Sequence, residues 1–280
     1  MTKKTKKHEK RNNLISKQLN KWQNEYTKTV IAAILVIIIL AGAFIAYNLK
    51  NKTSYNQNVL NYQATADEQK FKTEYEQING FTNDEGILNK DLSIIIDNNI
   101  EYIDIEKSAD ILKKGSGIIY FGYASCASCR NAIPVLLQAM ASSNLEKIYY
   151  VNLRPNNNED QDIREAFTAV KNKVIKTREA SSIKYNEILN LLAEYLEDYI
   201  VENETGKKIN TGKKILNAPT VVSVKNGTIL DAHIGTLNNH AKTDGALPDL
   251  TAEEETELYS IYTLMITKYL EDGCTVETSC

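Results

Sequence analysis

Histidine and cysteine are scarce in this chain, three and four among 280 residues, and each scarcity removes a class of chemistry. His8, His233 and His240 are scattered and form no catalytic constellation, with His233 in an expected strand and His240 in a polar loop. Packed or solvated roles are expected for them. Four cysteines are too few for a disulfide-stapled miniprotein. A composition of 42% hydrophobic and 25% charged residues fits a folded protein and excludes a disordered tail or a collagen-like repeat. A general surplus of positive charge is also lacking. The net charge is −3, yet residues 1–28 hold nine Lys and Arg against Glu9 and Glu25; everything after residue 28 therefore carries −10. That balance argues against nucleic acid as the main partner.

What is present begins with one long apolar run. No charged side chain lies between Lys28 and Lys50, and Val30–Tyr47 would make a helix of about 27 Å at ~1.5 Å per residue, enough to span a bilayer. The basic cluster precedes it, so the positive-inside bias puts residues 1–28 in the cytoplasm as a tail, 29–47 in the cell membrane as a single-pass helix, and the rest outside. The alternative is a secretory signal with Val30–Leu40 as its apolar core and Ala41-Gly42-Ala43 as cleavage site. Both readings place the cysteines outside the cytoplasm, where disulfides persist.

Residues 48–91 read as a polar stalk with one short helix, in which Phe71, Tyr75 and Ile78 share a face and Gly80 is the stop. From Leu92, Ile94 and Ile96 the pattern alternates as in a strand, which sets the main domain at 92–273. Inside it, strand Ile100–Ile103, helix Ile105–Lys114, strand Gly117–Tyr123, helix Cys126–Ser142 and strand Lys147–Asn152 alternate, predicting an α/β sheet. Residues 155–216 hold two amphipathic segments and predict a helical insertion; Tyr185, Ile188, Leu189, Leu192, Tyr195, Leu196 and Tyr199 recur at helical spacing in the second. Strands Thr220–Lys225 and Thr228–Ile234 follow, joined by an Asn226-Gly227 turn. Thr251 with Glu254 forms a capping box for a last helix, which Gly273 can end. A tail at 274–280 carries Cys274 and Cys280.

Cys126-Ala127-Ser128-Cys129 follows the apolar strand and opens a helix. Unsatisfied amides and the positive end of the macrodipole there favour a thiolate at Cys126. Cys129, one turn on, can then attack the mixed disulfide and release the partner.

Two separate blocks resemble the thioredoxin superfamily. The first is the strand, the C-x-x-C and Pro134; the second is Ala218-Pro219-Thr220, Lys225-Asn226-Gly227 and Gly235. The resemblance implies a thioredoxin-like fold in which Pro219 is a cis-proline beside the cysteines and Ala218 offers backbone groups to an extended substrate. It also implies thiol–disulfide oxidoreductase activity on protein thiols and disulfides outside the cytoplasm, with a membrane electron donor if the chain is a reductase, and calls for no separate cofactor. The chain departs from that family at Ser125, where Trp is usual, at Ala127-Ser128 between the cysteines, and at Tyr120, where a buried Asp is usual. Its layout is similar to membrane-anchored thioredoxin-like proteins of Gram-positive bacteria, including the bacteriocin transport accessory proteins.

Two other readings of the cysteines stay open. Cys126/Cys129 could form half of a zinc site with Cys274/Cys280, although five intervening residues in the second pair fit poorly. The domain could instead be a redox-inert accessory module for peptide export. The preferred expectation is a redox pair at Cys126/Cys129, no bound metal, and a structural disulfide between Cys274 and Cys280.

Overall fold

In the computed structural model, the described residues are 63–271 apart from 84, 85, 87, 239 and 241–246. The expected cytoplasmic tail, the membrane helix at 29–47, most of the stalk, and Cys274 and Cys280 fall outside them. No helix among the described residues is long and apolar enough to cross a membrane.

Helix α1 (Ala66–Glu76) starts where the chemistry dictates. The Thr65 hydroxyl accepts the Glu68 N–H and the Glu68 carboxylate accepts the Thr65 N–H, a reciprocal capping box. Phe71 and Tyr75 are fully buried, as their spacing predicts. The helix is nevertheless not part of a stalk, because the compact unit begins at Ala64 rather than near residue 92. Its first turn grips the edge of the sheet: Asp67 accepts the Tyr102 N–H and Glu68 the Asn99 N–H. Residues 92–96 also depart from expectation, since they form no strand. The alternation buries Leu92 and Ile94 but leaves Ile96 38% exposed, and side chains of α1 and its turn take backbone groups here. Lys72 donates to the Ile94 carbonyl, Glu76 accepts the Ile94 N–H, and Asn79 bonds both backbone groups of Leu92. The backbone groups of Leu92 and Ile94 are therefore taken up by side chains rather than by a ladder.

The chain then alternates β1 (Ile100–Tyr102), α2 (Ile105–Lys114), β2 (Gly117–Gly122), α3 (Ala127–Ser142) and β3 (Ile148–Asn152). After the insertion, which contains β4 to β7 and α4, come β8 (Thr220–Lys225), β9 (Thr228–Ile234) and α5 (Ala252–Glu271). One five-stranded sheet in the order β1-β3-β2-β8-β9 results, parallel from β1 to β2 and antiparallel from β2 to β9. β2 is central and wholly buried, which is why it reads as the unbroken apolar run Gly-Ile-Ile-Tyr-Phe-Gly. Asn226 and Gly227 both take positive φ, 50° and 76°, as a two-residue hairpin turn requires. A Cβ on Gly227 would also meet the Lys113 carbonyl oxygen at 2.3 Å, so that position excludes any side chain.

Strand alternation sends side chains to two cores. Ile118, Tyr120, Ile148, Tyr150 and Val221 join α1, α3 and α5 on one face. Ile119, Phe121, Val151, Val222 and Val224 join α2 and α4 on the other. The chain is thus a mixed α/β protein, a central sheet covered by helices on both faces.

The insertion is not the helical pair its periodicity suggests. Two short 3₁₀ turns lead into a hairpin of β4 (Ala166–Val170) and β5 (Lys173–Arg178), then the single helix α4 (Ile183–Leu191), then a hairpin of β6 (Asp198–Glu202) and β7 (Lys208–Lys214). Turn chemistry overrides periodicity here. Lys171 takes φ 57° in the tight first turn. In the second turn the Asn203 carboxamide oxygen accepts the Thr205 and Lys207 amides while Gly206 sits at φ 75°. The helical stripe is real only from Tyr185 to Leu192, and Tyr199 falls in a strand.

Candidate active site

β2 and β8 run antiparallel with Phe121 opposite Thr220, so the end of one and the start of the other lie side by side. The loop into Cys126 and the loop through Pro219 become neighbours, though about ninety residues separate them in sequence. The Ala218–Pro219 peptide is cis. The Ala218 carbonyl accepts from the Cys126 thiol at 3.5 Å. Sequence-derived candidates Cys126, Cys129, Ala218 and Pro219 therefore converge.

Cys126 is the N-cap of α3, extended at φ −77° and ψ 116°, and its sulfur accepts the Cys129 N–H at 3.1 Å. A sulfur replaces the usual Ser or Asp oxygen at that place, and it receives an otherwise orphaned amide at the positive end of the helix. Both cysteines are free thiols. Both cysteines are buried, Cys126 with 8% of its surface exposed and Cys129 with none, so of the two only Cys126 reaches the surface at all.

The two thiols titrate as a pair. Burial opposes charge on Cys129, but hydrogen bonds from Cys126, from the Tyr120 hydroxyl and from the Tyr123 backbone outweigh it, and its pKa falls below the ordinary thiol value. Burial, then the bond and the charge shared with Cys129, push Cys126 well above that value, against the helix amide and Arg164. One negative charge is thus favoured on the pair and a second is opposed. The sequence-based expectation put that charge on Cys126 through the helix terminus, and the amide bond is present. The donor set around Cys129 competes with it.

The insertion reaches this site. Asn157 accepts the Ser125 N–H at 3.1 Å, and Arg164 donates to the Leu216 carbonyl at 3.3 Å, two residues before Ala218. Arg154 and Arg164 lie 4.5 Å and 5.5 Å from the Tyr123 ring centre, on the loop before Cys126. Asp162, whose side chain is fully buried, holds Arg164 at 2.6 Å and also faces Arg154 and Arg178 at 3.4 Å and 3.6 Å. Of these arginines, Arg164 favours negative charge on both cysteines. Spacing along the chain carries no signal for Tyr123, Asn157 or Arg164.

Arg130, directly after Cys129, is completely buried. Its guanidinium donates to the carbonyls of Lys90, Tyr75 and Ala124 and to the Asn79 side chain, with no carboxylate among these partners. It ties α1 and its following turn to the loop that carries the cysteines.

Among the described residues no group of three or more His, Cys, Asp or Glu side chains is placed to hold a metal ion. His233 Nε2 bonds the Thr236 carbonyl and His240 Nδ1 the Thr236 hydroxyl, so these ring nitrogens are engaged with Thr236 rather than with a cysteine. No family model and no curated protein matches the chain.

Proposed function

We propose that the protein is a thioredoxin-like thiol–disulfide oxidoreductase, working outside the cytoplasm from a membrane anchor at residues 29–47. One observation carries the reading: Cys126, the less deeply buried of the two cysteines, caps α3, bonds the amide of Cys129, and abuts the carbonyl before a cis-proline. Two sulfurs of unequal access, one charge between them, and a neighbouring extended backbone are what disulfide exchange with a polypeptide requires. The strand order and the face assignment of the helices are compatible with a thioredoxin-like sheet, and the β-rich insertion is a departure from it. Protein thiols and disulfides are the proposed partners, and Ala218 and Pro219 their backbone contacts.

Exchange starts with Cys126 sulfur attacking a partner disulfide after its proton has passed to the Cys129 thiolate. The partner's S–S bond breaks, one partner sulfur leaves as a thiolate, and a Cys126–partner disulfide forms. The test is trapping in the full-length protein. Cys129→Ala should accumulate reducible adducts with extracytoplasmic proteins, and Cys126→Ala should abolish them. Absence of adducts from a folded Cys129→Ala protein would overturn the reading.

A further inference from the structure

The insertion sets one side chain against both loops of the site. Arg164 follows the two 3₁₀ turns, and its guanidinium is engaged in three directions. Nε and Nη2 donate to the two oxygens of Asp162 at 2.9 Å and 2.6 Å, a bidentate pair on a fully buried carboxylate. Nη1 donates to the Leu216 carbonyl at 3.3 Å, two residues before Ala218. Cζ lies 5.5 Å from the centre of the Tyr123 ring, three residues before Cys126 and within cation–π reach. The backbone that carries Arg164 is itself fixed, since Arg178 Nε bonds the Arg164 carbonyl and the Ile163 N–H bonds the Leu153 carbonyl, both at 2.9 Å. Each loop is also secured on its own side. In the first, the Cys126 N–H bonds the Tyr123 carbonyl at 3.3 Å and Arg130 holds the Ala124 carbonyl at 3.1 Å. In the second, the Thr220 hydroxyl bonds the Asn217 carbonyl and the Gly235 N–H the Pro219 carbonyl, both at 2.7 Å. Between their reactive ends the contact is the Cys126 thiol on the Ala218 carbonyl at 3.5 Å, and a thiol is a weak donor. That contact disappears once Cys126 bonds a partner sulfur, because its S–H is gone.

Resting on the oxidoreductase reading above, we infer that Arg164 is a positioning residue for exchange with polypeptides: it fixes the spacing between Cys126 and the Ala218 backbone, two points that one partner chain must meet at once. The partner's sulfur is attacked by Cys126 while the backbone beside that sulfur pairs with Ala218, as in strand addition. The partner's S–S bond breaks and a Cys126–partner bond forms. Cys129 sulfur then attacks Cys126 sulfur, the Cys126–partner bond breaks, and the Cys126–Cys129 bond forms. The cysteine pair is oxidised by two electrons and the partner disulfide is reduced by two. The proton of the pair ends on one released partner sulfur, and the other leaves as a thiolate. A disulfide with no peptide backbone beside it needs only the sulfur contact. The brace therefore serves protein partners and is indifferent to small disulfides.

The experiment uses the full-length, reduced protein at a temperature where wild type and variants are folded, with two probes. Insulin carries its disulfides in polypeptide; bis(2-hydroxyethyl) disulfide has no peptide group. Acid quenching and mass measurement give the second-order rate at which each probe oxidises the cysteine pair. Arg164→Met should react roughly tenfold more slowly with insulin, the effect of one misplaced backbone hydrogen bond, and within about twofold of wild type with the small disulfide. Arg164→Lys keeps the charge toward Asp162 but lacks the fork that holds Asp162 and Leu216 together, so its insulin rate should fall between the two. An unchanged insulin rate in folded Arg164→Met, or equal slowing with both probes, overturns the inference and leaves the oxidoreductase reading intact. If Arg164→Met does not fold, the same two outcomes in Arg164→Lys overturn it. Oxidation of the wild-type pair by neither probe overturns both the inference and the reading on which it rests.

Discussion

The Asn157 carboxamide oxygen accepts the Ser125 backbone N–H at 3.1 Å, a single bond that fastens the insertion to the residue before Cys126. Asn157 stands at φ 54°, so Asn157→Gly removes the acceptor without forcing a side chain into left-handed backbone. Fold stability should drop by no more than about 1 kcal/mol. The alkylation rate of Cys126 and hydrogen exchange at the Ser125 amide should both change severalfold. Unaltered alkylation would show that the insertion is tethered to the loop without influencing the thiol.

Asp162 gives a prediction with a definite sign in pH. Burial opposes its charge, but the hydrogen bonds and charge of Arg164, then of Arg178, hold its carboxyl below the ordinary range. A depressed folded pKa contributes stability that is present above the unfolded pKa and lost as pH falls through the folded one. Asp162→Asn should therefore cost on the order of 3 kcal/mol at pH 7, because it leaves the arginines without their buried anion. The gap between wild type and variant should narrow below about pH 4 in thermal melts. A gap constant from pH 7 to pH 3 contradicts the ion-pair account.

Glu74 has the opposite sign. Burial raises its carboxyl above the ordinary value, despite hydrogen bonds from Tyr102 and Tyr150 and the charge of Lys70. A raised folded pKa contributes stability that is full below the unfolded pKa and lost as pH rises through the folded one. Compared with Glu74→Gln, which does not titrate, the wild type should gain stability as pH drops from 7 to 4. Parallel melting curves across that range would show that Glu74 ionises without penalty.

Arg130 should be the most costly of these positions. Arg130→Met strips donors from three carbonyls and the Asn79 side chain at once, and should lose about 4 kcal/mol, much of an ordinary domain's stability. Arg130→Lys keeps the charge but lacks the planar fork, so an intermediate loss is expected. Chemical denaturation of both variants checks this order, and an Arg130→Lys protein as stable as the wild type would assign the role to charge rather than to geometry.

Much of the central sheet was legible in the sequence for local reasons. β2 is buried on both faces, β8 and β9 are joined by Asn226-Gly227, and α2, α3 and α5 carry their own start signals at Asp104, Cys126 and Thr251. Cys126-x-x-Cys129 at a strand-to-helix junction is likewise local, so the cysteine pair was visible before any contact was known. Three features were not. Leu92 and Ile94 look like a strand, but only tertiary structure decides that Asn79, Lys72 and Glu76 take their backbone groups. The insertion's apolar spacing fits a helix, and positive-φ turns at Lys171 and Gly206 fold most of it into hairpins instead. Asn157 meets Ser125, Arg164 meets Leu216, and Tyr75 meets both Tyr120 and Arg130 across separations that no periodicity spans. The sequence by itself determined which segments are apolar, where helices begin, and where two thiols could share a charge, because those depend on neighbours within a turn or a strand. Which hydroxyl, amide and guanidinium surround those thiols was decided by the packing of α1 and the insertion against the ends of β2 and β8.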